Sequence, residues 1–341
     1  MEDFTMKKIT KLSPNMKLAL GIIGGFVLIL ILIPVLFVLV TAAGAEYESI
    51  TTAALTEVDS DDVKTEVVTN NTYMRVYRAD SSEFQTMELE RYLIGVVAAE
   101  MPALFELDAL RAQAIAARTY AMRILAHQDY ILDTVMHQVF LDDDQLKTRW
   151  GDDFERHFAT IEEAVTSTQG IVLAYEGELI TPMFFAMSSG ATENSEDVFQ
   201  ARRPYLRSVA STGYESRDNF AVSELFTVDE LREAFDDRAI TEDNISVLSH
   251  SEGGNVNEIE IGANIYTGRE VREILGLRSA AFSITNERRG VIFTTYGHGH
   301  GVGMSQHGAN VMAQNGYHYV EILQHFYQNV MLVEKSSLND E

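Results

Sequence analysis

Apolar and polar positions divide the chain into three regimes. The first is a nearly continuous apolar run, Leu18 to Val40, inside a charge-free stretch that reaches Ala45. At about 1.5 Å per residue that run spans a hydrocarbon layer of about 30 Å. Lys7, Lys8, Lys11 and Lys17 precede it, and Glu46 and Glu48 follow. The positive-inside rule then puts a tail (1–17) in the cytoplasm and all that follows the span outside. Pro34 is tolerable in a membrane helix. A cleaved signal peptide ending at "TAAGA" competes, but signal cores run to about 7–15 residues. The pattern therefore predicts a single uncleaved transmembrane helix over 18–41. The second regime, 42–72, is acidic, rich in Thr and Ser and without apolar period, as a stalk would be. The third runs from Tyr73 to about residue 335 and carries the folded domain, with a short tail at 336–341.

In that domain "YMRVYRAD" alternates like a strand. In "MELERYLIGVVAAEMP", Leu89, Leu93, Val96 and Glu100 fall on one narrow stripe at about 100° per residue, so a carboxylate continues the inward face. Pro102 biases Met101 out of the helical region and ends the segment. The negative helix end and desolvation both disfavour ionisation there, so Glu100 can hold a proton and donate it. A structural glutamate paired with an arginine of the next helix fits the same period.

That next helix, "LDALRAQAIAARTYAMRILAHQ", takes Asp108 as N-cap and packs through Leu110, Ala114, Ala117, Ala121 and Leu125. Arg118 lies on another face, where it can meet a substrate or a carboxylate. Beyond a loop with "DTVMHQVF" come a helix in "DDFERHFATIEEAVTSTQG" and a hairpin with Gly177 in its turn. Thr227/Glu230 and Thr267/Glu270 form capping boxes. "AFSITNERRGVIFTTYG" reads as a hairpin, and two helices near 305–314 and 319–328 close the domain. The fold class is α+β, a mixed and mostly antiparallel sheet with packed helices.

Composition changes this picture in two ways. A net charge of −25 over 341 residues argues against nucleic acid or anionic lipid as a broad electrostatic partner. The absence of cysteine excludes disulfides, thiolate catalysis and cysteine-ligated zinc.

The chemistry concentrates in "YGHGHGVGMSQHGANVMAQNGY", Tyr296 to Tyr317. A nucleophile elbow would need a glycine where His307 stands. No phosphate-loop lysine follows the glycines. His298 and His300 would share a strand face with His307 close by, but the stretch has no carboxylate to complete a metal set. Its glycines allow close backbone approach, which best suits the wall of a saccharide groove.

Three segments, "YLIGVVAAEMP…ALRAQAIAARTYA", "REILGLRSAAF" and "GHGHGVGMSQHGANVMAQNGYHYVEILQHFY", together resemble the stage II sporulation protein D (SpoIID) family. The resemblance implies a two-lobed catalytic domain behind a membrane anchor. It implies a peptidoglycan lytic transglycosylase that cuts MurNAc–GlcNAc bonds of peptide-stripped strands and leaves 1,6-anhydro ends. It also implies a role in engulfment during sporulation, beside a cell-wall amidase/endopeptidase and a polytopic membrane protein. By position, Glu100 matches the family's acid/base. Arg118, His137, Tyr205, Arg207, Ser188, Ser189, His300, Ser305 and Gln306 match groove residues. No cofactor is expected. Some relatives hold zinc with one histidine and two cysteines near the "HQVF" loop; here His127, Asp133 and His137 are a poor substitute, and no metal is expected. Ala186, Met187, Thr295 and His298 depart from the family pattern. Two alternatives stand: a non-catalytic module that enhances a partner amidase, and a hydrolase using Glu193, Glu196 or Asp197 as second carboxylate.

Overall fold

A strand at Tyr73–Arg78 (β1) pairs antiparallel with Glu83–Glu88 (β2), and Ile131–Leu132 (β3) adds to it in parallel. The computed structural model describes residues 72–338; the expected anchor and stalk lie outside them. Among the described residues no helix is long and apolar enough to cross a membrane. In β1 the alternation turns Met74, Val76 and Arg78 inward. β2 runs directly into Leu89–Glu100 (α1), whose middle is almost wholly buried.

The second helix, Leu107–Leu125 (α2), is buried on nearly all sides. Its alanines are thin enough for neighbours to approach from several directions. Phe154–Thr166 (α4) and strand Ile171–Tyr175 (β4) pack on it, as do α1 and two C-terminal helices. Its cap differs from the expectation. The N-cap is Glu106, whose backbone N–H donates to Asn310 Oδ1 at 2.8 Å. Asp108 instead accepts from Arg111 and from the backbone N–H of Tyr319. A further helix, Asp143–Trp150 (α3), opens with a capping box of Asp142 and Gln145.

β4 pairs with Glu178–Leu179 (β5) through the expected turn, where Glu176 and Gly177 take φ of 51° and 86°. Positive φ at both positions is the two-residue hairpin geometry that suits twisted strands. The strand Met331–Glu334 flanks β4 on its other side.

Two separate buried clusters result. The first joins β1, α1, α2, α4, β4 and the C-terminal helices around Leu93, Val96, Leu110, Ile115 and Phe326. The second lies within residues 226–293 around Leu231, Ile259, Val271 and Phe293. It has two antiparallel three-stranded sheets and two short helices, Val228–Ala234 and Gly268–Leu275, each opening with its expected capping box. The hairpin of Phe282–Glu287 and Gly290–Tyr296 is as the alternation predicts. The chain then returns to the first cluster, where Met304–Ser305 pairs in parallel with Phe184–Phe185. Two helices follow, Gln306–Gln314 (here α8) and Tyr319–Phe326 (α9).

Candidate active site

Glu100 is the last residue of α1, and Met101 breaks to extended geometry with its N–H on the Val97 carbonyl at 2.9 Å. The carboxyl sits between buried and open surroundings. Desolvation pushes its pKa up, while the Gln306 side-chain amide and the Val139 backbone N–H donate to it and oppose that rise. Both donors arrive from far along the chain, and each has a local cause.

Val139 comes with the loop after β3, which lies flat on α1. Gly95 permits this, because a Cβ there would collide with the Leu141 carbonyl and the Phe140 ring. Phe140 in turn stacks on Tyr92 at 5.4 Å, fixing the loop over the helix.

Gln306 comes with the glycine motif. Gly297, Gly299, Gly301 and Gly303 all have positive φ. At Gly303 a Cβ would meet the Met183 carbonyl, so the segment can thread against residues 183–193 only without side chains there. Ser305 ends the threading by capping α8, accepting from Gly308 N–H at 3.2 Å. Gln306 is then the first helical residue, nearly buried, and its Nε2 also reaches Gln113 Oε1 at 3.5 Å.

Comparison with known proteins settles the family. A family model described as stage II sporulation protein matches residues 77–175. Stage II sporulation protein D of Bacillus subtilis (strain 168) is 35% identical over 319 residues, covering 90% of this chain and 93% of that protein. The protein of the same description from Bacillus amyloliquefaciens is 38% identical over 271 residues, covering 77% and 79%. This chain belongs to the SpoIID family. A more distant relative, named amidase enhancer, from Bacillus subtilis (strain 168), is 25% identical over 295 residues, 70% of this chain and 40% of that protein.

The SpoIID model's span contains Glu100, Arg118 and His137 but stops short of the glycine motif. Of the other residues matched to the family by position, the structure brings only Gln306 onto Glu100. Arg118 is 1% exposed, meets a carboxylate by gripping Glu90 through Nε and Nη2, and donates to the carbonyls of Val165 and Ile171. It ties α1, α4 and β4 to α2. Tyr205 is likewise in the first core, its hydroxyl accepting from Thr181 N–H at 3.1 Å. Arg207 is held by both oxygens of Glu196, whose pKa it draws down to about 2.

Ser188 donates to the Ser211 carbonyl at 3.0 Å and contacts the Tyr214 hydroxyl at 2.5 Å; Ser305, fully buried, has its cap duty. Ser189 is half-buried and lines an open cavity of about 390 Å³ with Glu252, Ser283 and Tyr296. His300 Nδ1 accepts from Val302 N–H at 3.1 Å, and the ring bonds the Phe184 backbone. Burial, helped by the charge of Arg272, brings its pKa down to about 4. His137 turns Nδ1 to the Leu132 N–H at 2.9 Å, shaping the loop that carries Val139.

Asp133 is engaged by Arg78 and the Ala79 N–H, and among the described residues no three His, Cys, Asp or Glu side chains converge. Sequence reasoning missed two contributors, Val139 and Gln113. Val139 acts through its backbone, which no residue pattern reveals. Gln113 had a visible signal: a polar side chain three residues from Leu110 on an otherwise alanine-lined helix.

Proposed function

We propose that this chain is a lytic transglycosylase acting on peptide-stripped peptidoglycan strands, with Glu100 as its single acid and base. The observation that carries the reading is a half-buried carboxyl of raised pKa whose hydrogen-bond partners are neutral N–H donors. Burial favours its acid form, which protonates the glycosidic oxygen as the C1–O bond breaks. The two N–H donors then stabilise the carboxylate left behind. That carboxylate takes the proton of the same sugar's C6 hydroxyl as O6 bonds to C1. The proton lent is recovered, the 1,6-anhydro ring closes, and no water is consumed.

Hydrolysis would need a second carboxylate beside the scissile bond. The three candidates are engaged elsewhere: Glu193 by Ser251 and Asn255, Glu196 by Arg207, and Asp197 by Asn194. A second reading, enhancement of a partner amidase, is favoured by the name of the 25% identical relative.

The test is mass spectrometry of products from amidase-denuded strands incubated with the full-length chain. Anhydro-muramic ends that vanish in Glu100→Gln are the expected result. Ordinary reducing ends would overturn the transglycosylase reading. Binding without any product would hand the site to the amidase-enhancing reading.

A further inference from the structure

His298, where the glycine motif departs from the family pattern, is a side chain that the chemistry above leaves unused. Its backbone is held on both sides. The N–H donates to the Met187 carbonyl at 2.7 Å, and the carbonyl accepts from the Met187 N–H at 3.0 Å. The flanking Gly297 and Gly299 have φ of 72° and 115°, and a Cβ on either would strike residues 185–188. The backbone is thus pressed inward while the imidazole stays exposed.

Arg278 arrives beside it along the same seam. Its carbonyl accepts from the Gly299 N–H at 3.0 Å, and the next residue, Ser279, donates its hydroxyl to the Tyr296 carbonyl at 2.7 Å. The half-buried guanidinium gives Nη1 to the Asn219 carbonyl at 2.7 Å, and its Nη2 meets His298 Nδ1 at 3.4 Å. Although Asp and Glu outnumber Lys and Arg 51 to 26, no carboxylate among the described residues pairs with this guanidinium. His298 is faced by Arg278 and, through its charge, by Arg272. Burial first, and then those two charges, hold its pKa below the ordinary 6.5. At neutral pH the ring is therefore neutral, with Nδ1 accepting from Arg278 and its hydrogen on Nε2.

Such a pair lacks an anion. A peptide-stripped strand carries one on each muramic acid, because hydrolysis of the amide to the stem peptide leaves the lactyl group as a carboxylate. An attached peptide cancels the charge at that atom. The chain as a whole repels a polyanion, so local cations have to supply the grip.

We propose that Arg278 and His298 form an anion subsite for the lactyl carboxylate of a peptide-stripped muramic acid residue. The substrate class rests on the transglycosylase reading above. Arg278 supplies the charge through N–H groups that no described residue accepts, and His298 supplies its Nε2–H. The subsite distinguishes stripped from peptide-bearing strands by a charge that only the former carry there.

The test is calorimetric binding to full-length Glu100→Gln, which leaves the strand uncut. Two tetrasaccharides of alternating GlcNAc and MurNAc are compared, one with free lactyl carboxylates and one with them capped as methylamides. The free acid should bind about tenfold more tightly, the scale of one partly exposed charge-assisted hydrogen bond. Adding Arg278→Gln should abolish that preference and leave the affinity for the capped strand within about twofold. An anion beside the imidazole favours its protonated form, so binding takes up a proton. The preference should then grow as pH falls from about 7.5 to about 5.5, and His298→Gln should flatten that growth. Thermal melts establish folding; if Arg278→Gln does not fold, His298→Gln and added salt, which screens the exposed charges, carry the test. Equal affinity for the two strands, or a preference that survives folded Arg278→Gln, would overturn the subsite. A preference intact in a chain whose wild type yields no anhydro ends would sink the transglycosylase reading and leave the subsite standing. Anhydro ends formed without any preference would do the reverse.

Discussion

Among the described residues two carboxyls, Glu100 and Glu193, have pKa values raised chiefly by desolvation, in opposite surroundings. Glu100 ends a helix, stays partly open, and meets two donors that come from distant segments. Glu193 is 1% exposed and clamped between two turns. Its Oε1 accepts from the Ser251 hydroxyl and Asn255 N–H, both at 2.9 Å, and its backbone N–H donates to the Gly301 carbonyl at 2.7 Å. A Cβ on Gly253 or Gly301 would strike its side chain. Desolvation alone therefore does not mark a catalytic acid. What separates the two is access: Glu100 stays partly exposed, whereas Glu193 is enclosed by the protein.

The sharpest break in that comparison is a pair of isosteric changes. Glu100→Gln should lower kcat by about 10³-fold, the scale of a lost general acid, with melting temperature nearly unchanged. Glu193→Gln should leave turnover within about twofold, as expected of a side chain outside the chemistry. Initial rates and melts of both variants check the contrast.

Next in size is Arg118, which the structure bonds to Glu90 and two backbone carbonyls. Arg118→Ala should destabilise by about 3 kcal/mol, since it strands Glu90 and two carbonyls. Chemical denaturation measures this, and a stable variant with weakened strand binding would return Arg118 to the groove. Ser305→Ala should cost about 1 kcal/mol, a helix-cap value, with turnover retained. Loss of turnover in a folded Ser305→Ala would mean that the hydroxyl meets substrate.

The smallest effect is the pH dependence of stability. Glu193 is raised above its ordinary 4.5, so its stabilisation is complete below that value and is lost as pH rises through the folded-state pKa. The wild-type melting temperature should thus carry a component that declines upward from 4.5, and Glu193→Gln should flatten it. An identical slope in both would deny Glu193 that role.

Much of this was legible in the sequence, and the rest failed for identifiable reasons. The stripe from Leu89 to Glu100 placed that carboxyl at the inward end of α1 because a helix's inward face is periodic. Capping boxes and the Gly177 turn were legible because their determinants are local. Of the two partners the sequence left open for Arg118, a substrate or a carboxylate, the structure shows the Glu90 carboxylate, which no period on α2 could name because that helix is buried on nearly all sides. Ser188 and Ser305 announce hydroxyls but not the Ser211 carbonyl or the Gly308 N–H that occupy them. The anchor and stalk lie outside the described residues, and Leu18 to Val40 remains the sequence's own statement about them.

The joining of α2 to α8 has a temporal meaning. Gln306 meets Gln113 across 193 residues, and Asn310 meets the Glu106 N–H across 204. Contacts of such separation form late, after the intervening chain exists and has folded. A ribosome that has delivered α1 and α2 has made Glu100 but not Gln306. The Gln306 bond to Glu100 thus waits for α8, and a chain cut before that helix would carry Glu100 without it.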